Sequence, residues 1–167
     1  MSRRRRIALL VVVCAQLALP LSLAGLAAAD LAFGEEIRLK AQPVDPLDVF
    51  RGNYVVLDYE ISTLQVVRGV SRGGRLCADL FQKPDGSYGA RFAYPDPPTD
   101  GKTVCGHARG DVRDGHLARI EYGIETYFAS AERAQEIESS IARGELFVVV
   151  DLDDDGSARI ERLEVDE

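Results

Sequence analysis

From Ile7 to Ala29 the chain runs 23 residues without a charged side chain, directly after Arg3, Arg4, Arg5 and Arg6. As a helix rising about 1.5 Å per residue this run would reach roughly 34 Å, the depth of a bilayer's hydrocarbon core. The arginines hold their own end in the cytoplasm and send the remainder of the chain across. The expected organisation is a basic cytoplasmic flank over 1–6, a transmembrane anchor over 7–29 and an extracytoplasmic domain over 30–167. A cleaved signal peptide competes with the anchor, because Ala27-Ala28-Ala29 before Asp30 has the small residues of a cleavage site. Against cleavage, the run exceeds the usual apolar length of about 7–15 residues. Cys14 lies too early in the run for a lipoprotein site, and Ser2-Arg3-Arg4 reads as an ordinary positive flank. Both readings place the folded part outside the cytoplasm. The expected location is a bacterial inner membrane, crossed once, with the domain in the periplasm or at the cell exterior.

Charge separates the two parts of the chain. The whole carries a net −7, yet no Asp or Glu precedes Asp30, and the remainder has 16 basic against 27 acidic residues, a net −11. A domain of that charge repels phosphate backbones, so nucleic acid is excluded as a partner, and anionic lipid surfaces are disfavoured. Only Cys77 and Cys105 lie beyond the apolar run. In an oxidising compartment an even pair reads as one bridge, closing a loop of 28 residues; two buried free thiols are the alternative.

The pattern beyond residue 30 predicts strands. Glu35–Ala41 alternates polar and apolar residues, and Pro43 to Pro46 stops it. Asn53–Ile61 reads as a single strand with Val55, Leu57, Tyr59 and Ile61 on one face and Asp58 and Glu60 on the other. Leu76–Gln82 and Tyr88–Tyr94 flank the turn Lys83 to Ser87, and Thr103–Ala108 and Leu117–Ile124 flank Asp114-Gly115. The period then changes to that of a helix, with Ser130 as N-cap, Ala134, Ile137 and Ile141 on one face, and Gly144 at the end. Leu146–Leu152 and Ala158–Val165 close the chain around Asp153 to Gly156. The expected fold is α+β: a mainly antiparallel domain of seven or eight strands with one short helix, preceded by an N-terminal transmembrane helix.

The stretch Pro43-Val44-Asp45-Pro46-Leu47-Asp48-Val49-Phe50-Arg51-Gly52-Asn53-Tyr54-Val55-Val56-Leu57-Asp58-Tyr59 resembles the GDYXXLXY protein family, whose run is matched by Gly52, Tyr54, Leu57 and Tyr59. The apolar N-terminal segment, the later Tyr127-Phe128 pair and the helix near Ala131–Arg143 follow the same order. The resemblance implies an anchored extracytoplasmic domain without an established activity. It also implies a partner, since such proteins tend to be encoded beside multi-spanning membrane proteins. Position 53 departs from the family run, with Asn in place of Asp. Asn still accepts a turn hydrogen bond but cannot act as a carboxylate, which favours a structural role. Tyr54 and Tyr59 point to opposite strand faces, so at most one joins Leu57 in the core, and the other is a candidate contact residue or, more commonly, a half-buried sheet tyrosine.

Chemistry-bearing patterns are sparse. Asp151, Asp153, Asp155 and Gly156 match the first half of a calcium loop, but Arg162 stands where the bidentate Glu is required. The reading is therefore an acidic hairpin turn. Cys105, His107, His116 and Cys77 lack the spacing of a zinc site. No Gly-x-Ser-x-Gly elbow occurs, and Val44 stands where a Ser/Lys peptidase with a similar strand would carry its serine. No catalytic residue and no cofactor is expected. The leading reading is a non-enzymatic domain that binds or regulates a membrane-protein partner through Asp45, Asp48, Arg51 and Tyr54. The alternatives are a hydrolase using Asp45, Asp48 or His107, and a calcium module at Asp151–Asp155.

Overall fold

The computed structural model describes residues 12–14, 16–18, 20–22, 35–43, 54–98 and 101–166. It divides into two units, Met1–Gly34 and Glu35–Glu167. In the first, the described residues are helical, and Cys14 is an exposed free thiol. The rest of 7–29 lies outside the described residues. The expected transmembrane helix is corrected here: among the described residues no helix is long and apolar enough to cross a membrane. An uncharged run specifies composition and does not by itself fix the length of a helix.

The second unit opens with β1 (Glu35–Gln42), β2 (Tyr54–Val56), β3 (Asp58–Tyr59), β4 (Thr63–Val66), β5 (Arg75–Gln82) and β6 (Tyr88–Tyr94). It continues with β7 (Thr103–Ala108), β8 (Leu117–Glu121), β9 (Thr126–Phe128), α1 (Ala131–Arg143), β10 (Leu146–Leu152) and β11 (Ala158–Val165). Eleven strands among the described residues replace the seven or eight expected, and the class is mostly β. Its centre is a closed barrel of five strands. β4 pairs in parallel with β6 and antiparallel with β8; β8 pairs with β7, β7 with β5, and β5 returns to β6. Closure comes from β5, which pairs on both edges and shifts register between Ala78 and Leu80, a bulge that bends the strand. Small and large side chains alternate inside, as a narrow barrel requires: Ala78, Ala93 and Ala118 beside Leu76, Val66, Val104 and Ile120, all buried. Gly106 lets β7 and β8 touch, since a Cβ there would lie 2.3 Å from the Glu121 carbonyl oxygen.

An extension flanks the barrel. β1 pairs with β10 through six residue pairs and meets β6 at Leu39↔Tyr88, and β11 forms the outer edge beside β10. The edge is guarded by charge: Arg162 is ion-paired with Glu36, Glu161 and Glu164 at 2.9, 3.0 and 3.0 Å. The helix α1 packs on β10, β1 and β2 through Ala134, Ile137 and Ile141. Ser130 Oγ accepts from the Arg133 N–H, and Gly144, at φ 73°, donates to the Ile141 carbonyl. Burying the two isoleucines contributes on the order of 3–5 kcal/mol.

The single strand expected over Asn53–Ile61 is broken in two. β2 pairs with β9, whereas β3 pairs with β1 at Ala41↔Tyr59 and Gln42↔Asp58. The break falls at Leu57, whose N–H instead donates to the Glu125 carbonyl at 2.8 Å. Two partners in different places cannot be served by one straight strand. Asp58 is consequently buried rather than facing outward with Glu60.

Two buried tyrosines tie this segment to the stretch just past β8. Tyr59 Oη donates to the Ile124 carbonyl at 2.6 Å, and Tyr122 Oη donates to the Ile61 carbonyl at 2.7 Å. Burial, reinforced by the Glu125 carboxylate, holds both phenols well above their ordinary value of 10.0. The folded protein therefore keeps both protonated, while the unfolded chain ionises them above pH 10. Their contribution is complete below pH 10 and declines as pH rises beyond it, by about 1.4 kcal/mol per pH unit for each tyrosine. Chemical denaturation followed between pH 9 and 11.5 should show this decline. The variant Tyr59→Phe/Tyr122→Phe should be less stable at pH 7 and lose most of the extra slope.

Cys77 and Cys105 face each other across β5 and β7 and form a disulfide, with Cα atoms 3.9 Å apart. On the chain-entropy model a bridge over 28 residues contributes about 3–4 kcal/mol. Thermal unfolding in a strong reductant, or of Cys77→Ala/Cys105→Ala, should show a midpoint lower by about 10–15 °C. An unchanged midpoint would show that the bridge contributes nothing to stability.

Candidate functional site

The motif segment presents one buried and one outward-facing end. Leu57 and Tyr59 are fully buried, the first beside Val55 and Ile61 in the core. Between them Asp58 is enclosed by four donors. Arg119 binds it through both amino groups at 3.0 Å each, Gln42 Nε2 donates at 3.0 Å, and the Tyr59 N–H donates at 3.0 Å. A buried carboxylate is tolerated only when paired and hydrogen-bonded in this manner. It joins β1, β3 and β8 at one point, which suits a structural tie better than a reactive group.

Tyr54 lies at the other end, half-buried, on the ribbon formed by β2 and β9. Its register partner is Phe128, with ring centroids 6.3 Å apart at 63°, an edge-to-face pair. Phe128 is 78% exposed, the most exposed large apolar side chain in Glu35–Glu167 among the described residues. Tyr127 packs inward at the neighbouring position. The sequence signal for Phe128 was present in the Tyr127-Phe128 pair; its position opposite Tyr54 was not, because β9 is three residues long and carries no periodicity. The expected contact residues Asp45, Asp48 and Arg51, with Gly52 and Asn53 of the motif, lie outside the described residues.

A second feature is a cleft of about 420 Å³ between the barrel and the β10–β11 turn, lined among others by Arg75, Cys105, His107, Tyr122, Asp155 and Ser157. Sequence patterns give no sign of it, since it depends on where the turn docks. Gly156, at φ 84°, sits against the disulfide: a Cβ there would meet Cys105 Sγ at 2.6 Å, and its carbonyl accepts from the Cys105 N–H at 2.8 Å. Arg75 donates to the Asp155 carbonyl. The Asp155 carboxylate accepts from the Ser157 N–H at 2.8 Å, and the Ser157 backbone and hydroxyl hold its pKa below the ordinary carboxylate value. The acidic run Asp151, Asp153 and Asp155 is therefore built into a strand and a docked turn. Among the described residues no group of three or more His, Cys, Asp or Glu is placed to hold a metal ion.

Among the described residues the two histidines have no nucleophile beside them. His107 is exposed, with Nδ1 3.2 Å from the Gly73 carbonyl oxygen, and His116 is exposed at the start of β8. Among the described residues no hydroxyl or thiol is hydrogen-bonded to either ring, so no nucleophile and base are paired. The cysteines that might have joined them are consumed by the disulfide.

Comparison with known proteins adds a family and nothing closer. No curated protein and no solved structure matches the chain. The model of one family, the GDYXXLXY protein family, matches residues 16–163, which span the motif, the barrel, α1, β10 and most of β11. The chain belongs to the GDYXXLXY protein family.

Proposed function

We propose that Glu35–Glu167 is a non-enzymatic docking domain that works outside the cytoplasm and binds a membrane-protein partner through the β2–β9 ribbon. The exposed Phe128, braced edge-on by Tyr54, carries this reading. Exposed aromatic side chains on a rigid support lose little conformational freedom on binding and are over-represented among the residues that dominate interface energies. The support is rigid here because β2 and β9 are held to the barrel through Leu57, Tyr59 and Tyr122. A disulfide fits an oxidising compartment. The family resemblance supports a multi-spanning membrane protein as the partner, with the domain on the periplasmic or exterior face of a bacterial inner membrane.

A photo-crosslinking residue placed at Phe128 tests the surface in cells, with the same residue at Glu161 on the charged outer strand as control. One discrete protein adduct should form from position 128 and none from position 161. Tyr54→Ala should reduce the adduct and weaken binding by about 2 kcal/mol, roughly 30-fold, while leaving the folded spectrum intact. Equal labelling from both positions, or no adduct at 128, would refute the ribbon as the docking surface.

A further inference from the structure

The barrel has one end that differs in charge from the rest of the domain. β4, β6 and β7 point the same way, so the segments after them leave together. The loops after β4 and β7 run side by side: Val70 bridges Val112, the Gly69 N–H donates to Asp114 Oδ1 at 2.6 Å, and the Arg72 N–H donates to Asp111 Oδ1 at 2.7 Å. Residues 67–76, 95–98 and 107–119 at this end contain six arginines and three aspartates, in a part of the chain that is otherwise strongly acidic. Asp111 and Asp114 are engaged by those backbone donors. Arg68 is ion-paired with Asp96, Arg109 with Glu121, and Arg119 with Asp58. Arg72 and Arg113 are exposed and have no carboxylate partner among the described residues; Arg72 Nε donates to the Arg109 carbonyl. Two aliphatic side chains project beside them, Leu117 at 70% exposure and Val67 at 50%. They are close neighbours, because Gln65 pairs with Leu117 and Val66 holds both Gly115 and His116 through its backbone.

We propose that this end of the barrel docks on an anionic lipid surface, with Val67 and Leu117 entering the headgroup region and Arg72 and Arg113 on lipid phosphates. Projecting aliphatics ringed by arginine are what an interfacial contact needs: apolar area to bury and cations for the phosphates. Protein hot spots favour Trp, Tyr and Arg and rarely Leu or Val. The net charge of −11 does not prevent the contact. At physiological salt the screening length is about 8 Å, so the lipid surface meets the charges of this end, where arginines outnumber aspartates six to three, and not the carboxylates elsewhere in the domain. Neither Phe128 nor the β2–β9 ribbon takes part, so the lipid contact stands apart from the docking function proposed above.

The chain has no tryptophan, so Leu117→Trp in the full-length protein makes a single local reporter. Attachment by any other part of the chain leaves this signal unchanged. With vesicles of equal phosphatidylcholine and phosphatidylglycerol, the emission should move to the blue and be quenched by brominated acyl chains. Vesicles of phosphatidylcholine alone should give neither change, and roughly 0.5 M salt should reverse both. Adding Arg72→Gln and Arg113→Gln should raise the lipid concentration at half-effect by roughly fivefold each, about 25-fold together. Arg113→Gln alone, whose side chain has no partner among the described residues, guards against a folding defect. The proposal is overturned if the reporter stays in water on anionic vesicles, or responds equally to neutral ones. It is also overturned, in favour of an acidic protein partner, if polyglutamate shifts the emission and vesicles do not.

Discussion

The paired hydrogen bonds of Tyr59 and Tyr122 hold the motif segment against the segment just past β8. Each hydroxyl caps a backbone carbonyl beside the other tyrosine's strand, so neither segment can shift register without burying an unpaired oxygen. Everything around the motif builds on this clamp. Leu57 takes its backbone partner from Glu125 between the two phenols, β2 continues to pair with β9, and α1 leads from β9 directly onto β10 and β1. The family's defining residues Leu57 and Tyr59 are thus accounted for by packing and backbone satisfaction.

Charge is distributed on the same principle of local engagement. Asp58 is buried and satisfied by four donors, Arg162 is shared by three carboxylates on the outer strand, and Asp155 is held in the turn by Ser157. Buried and docked charges specify geometry, and those on β11 keep an open edge from pairing with other chains. Arg72 and Arg113 stand out because, among the described residues, neither guanidinium is ion-paired. A net charge averages over such differences and hides them.

How much was legible in the sequence depended on element length. Glu35–Gln42, Leu146–Leu152 and Ala158–Val165 have enough residues to show their pattern, and α1 announces itself through Ser130, its apolar face and Gly144. β4 and β9 have four and three residues, too few for a period to register, and they exist because a barrel strand or a ribbon partner lies alongside. Strict alternation puts Asp58 outward, and the break at Leu57 overrides that rule by changing partners midway. The half-buried position of Tyr54 could be read from its place opposite Tyr59 on the pleat, whereas its pairing with Phe128 required the fold.

By itself the sequence determined what short-range chemistry determines: strand and helix periods, turn positions, the two cysteines available to bridge, and the absence of a complete calcium or nucleophile motif. The family likeness too is carried by residues close together in the chain. Tertiary structure decided which strands close into a barrel, that Cys77 and Cys105 share a rung, and that the acidic turn docks on their disulfide. It also decided that one end of an acidic domain is basic. These outcomes depend on pairings between residues far apart in the chain, selected by burial and backbone hydrogen bonding over the whole domain, and no local pattern encodes that sum.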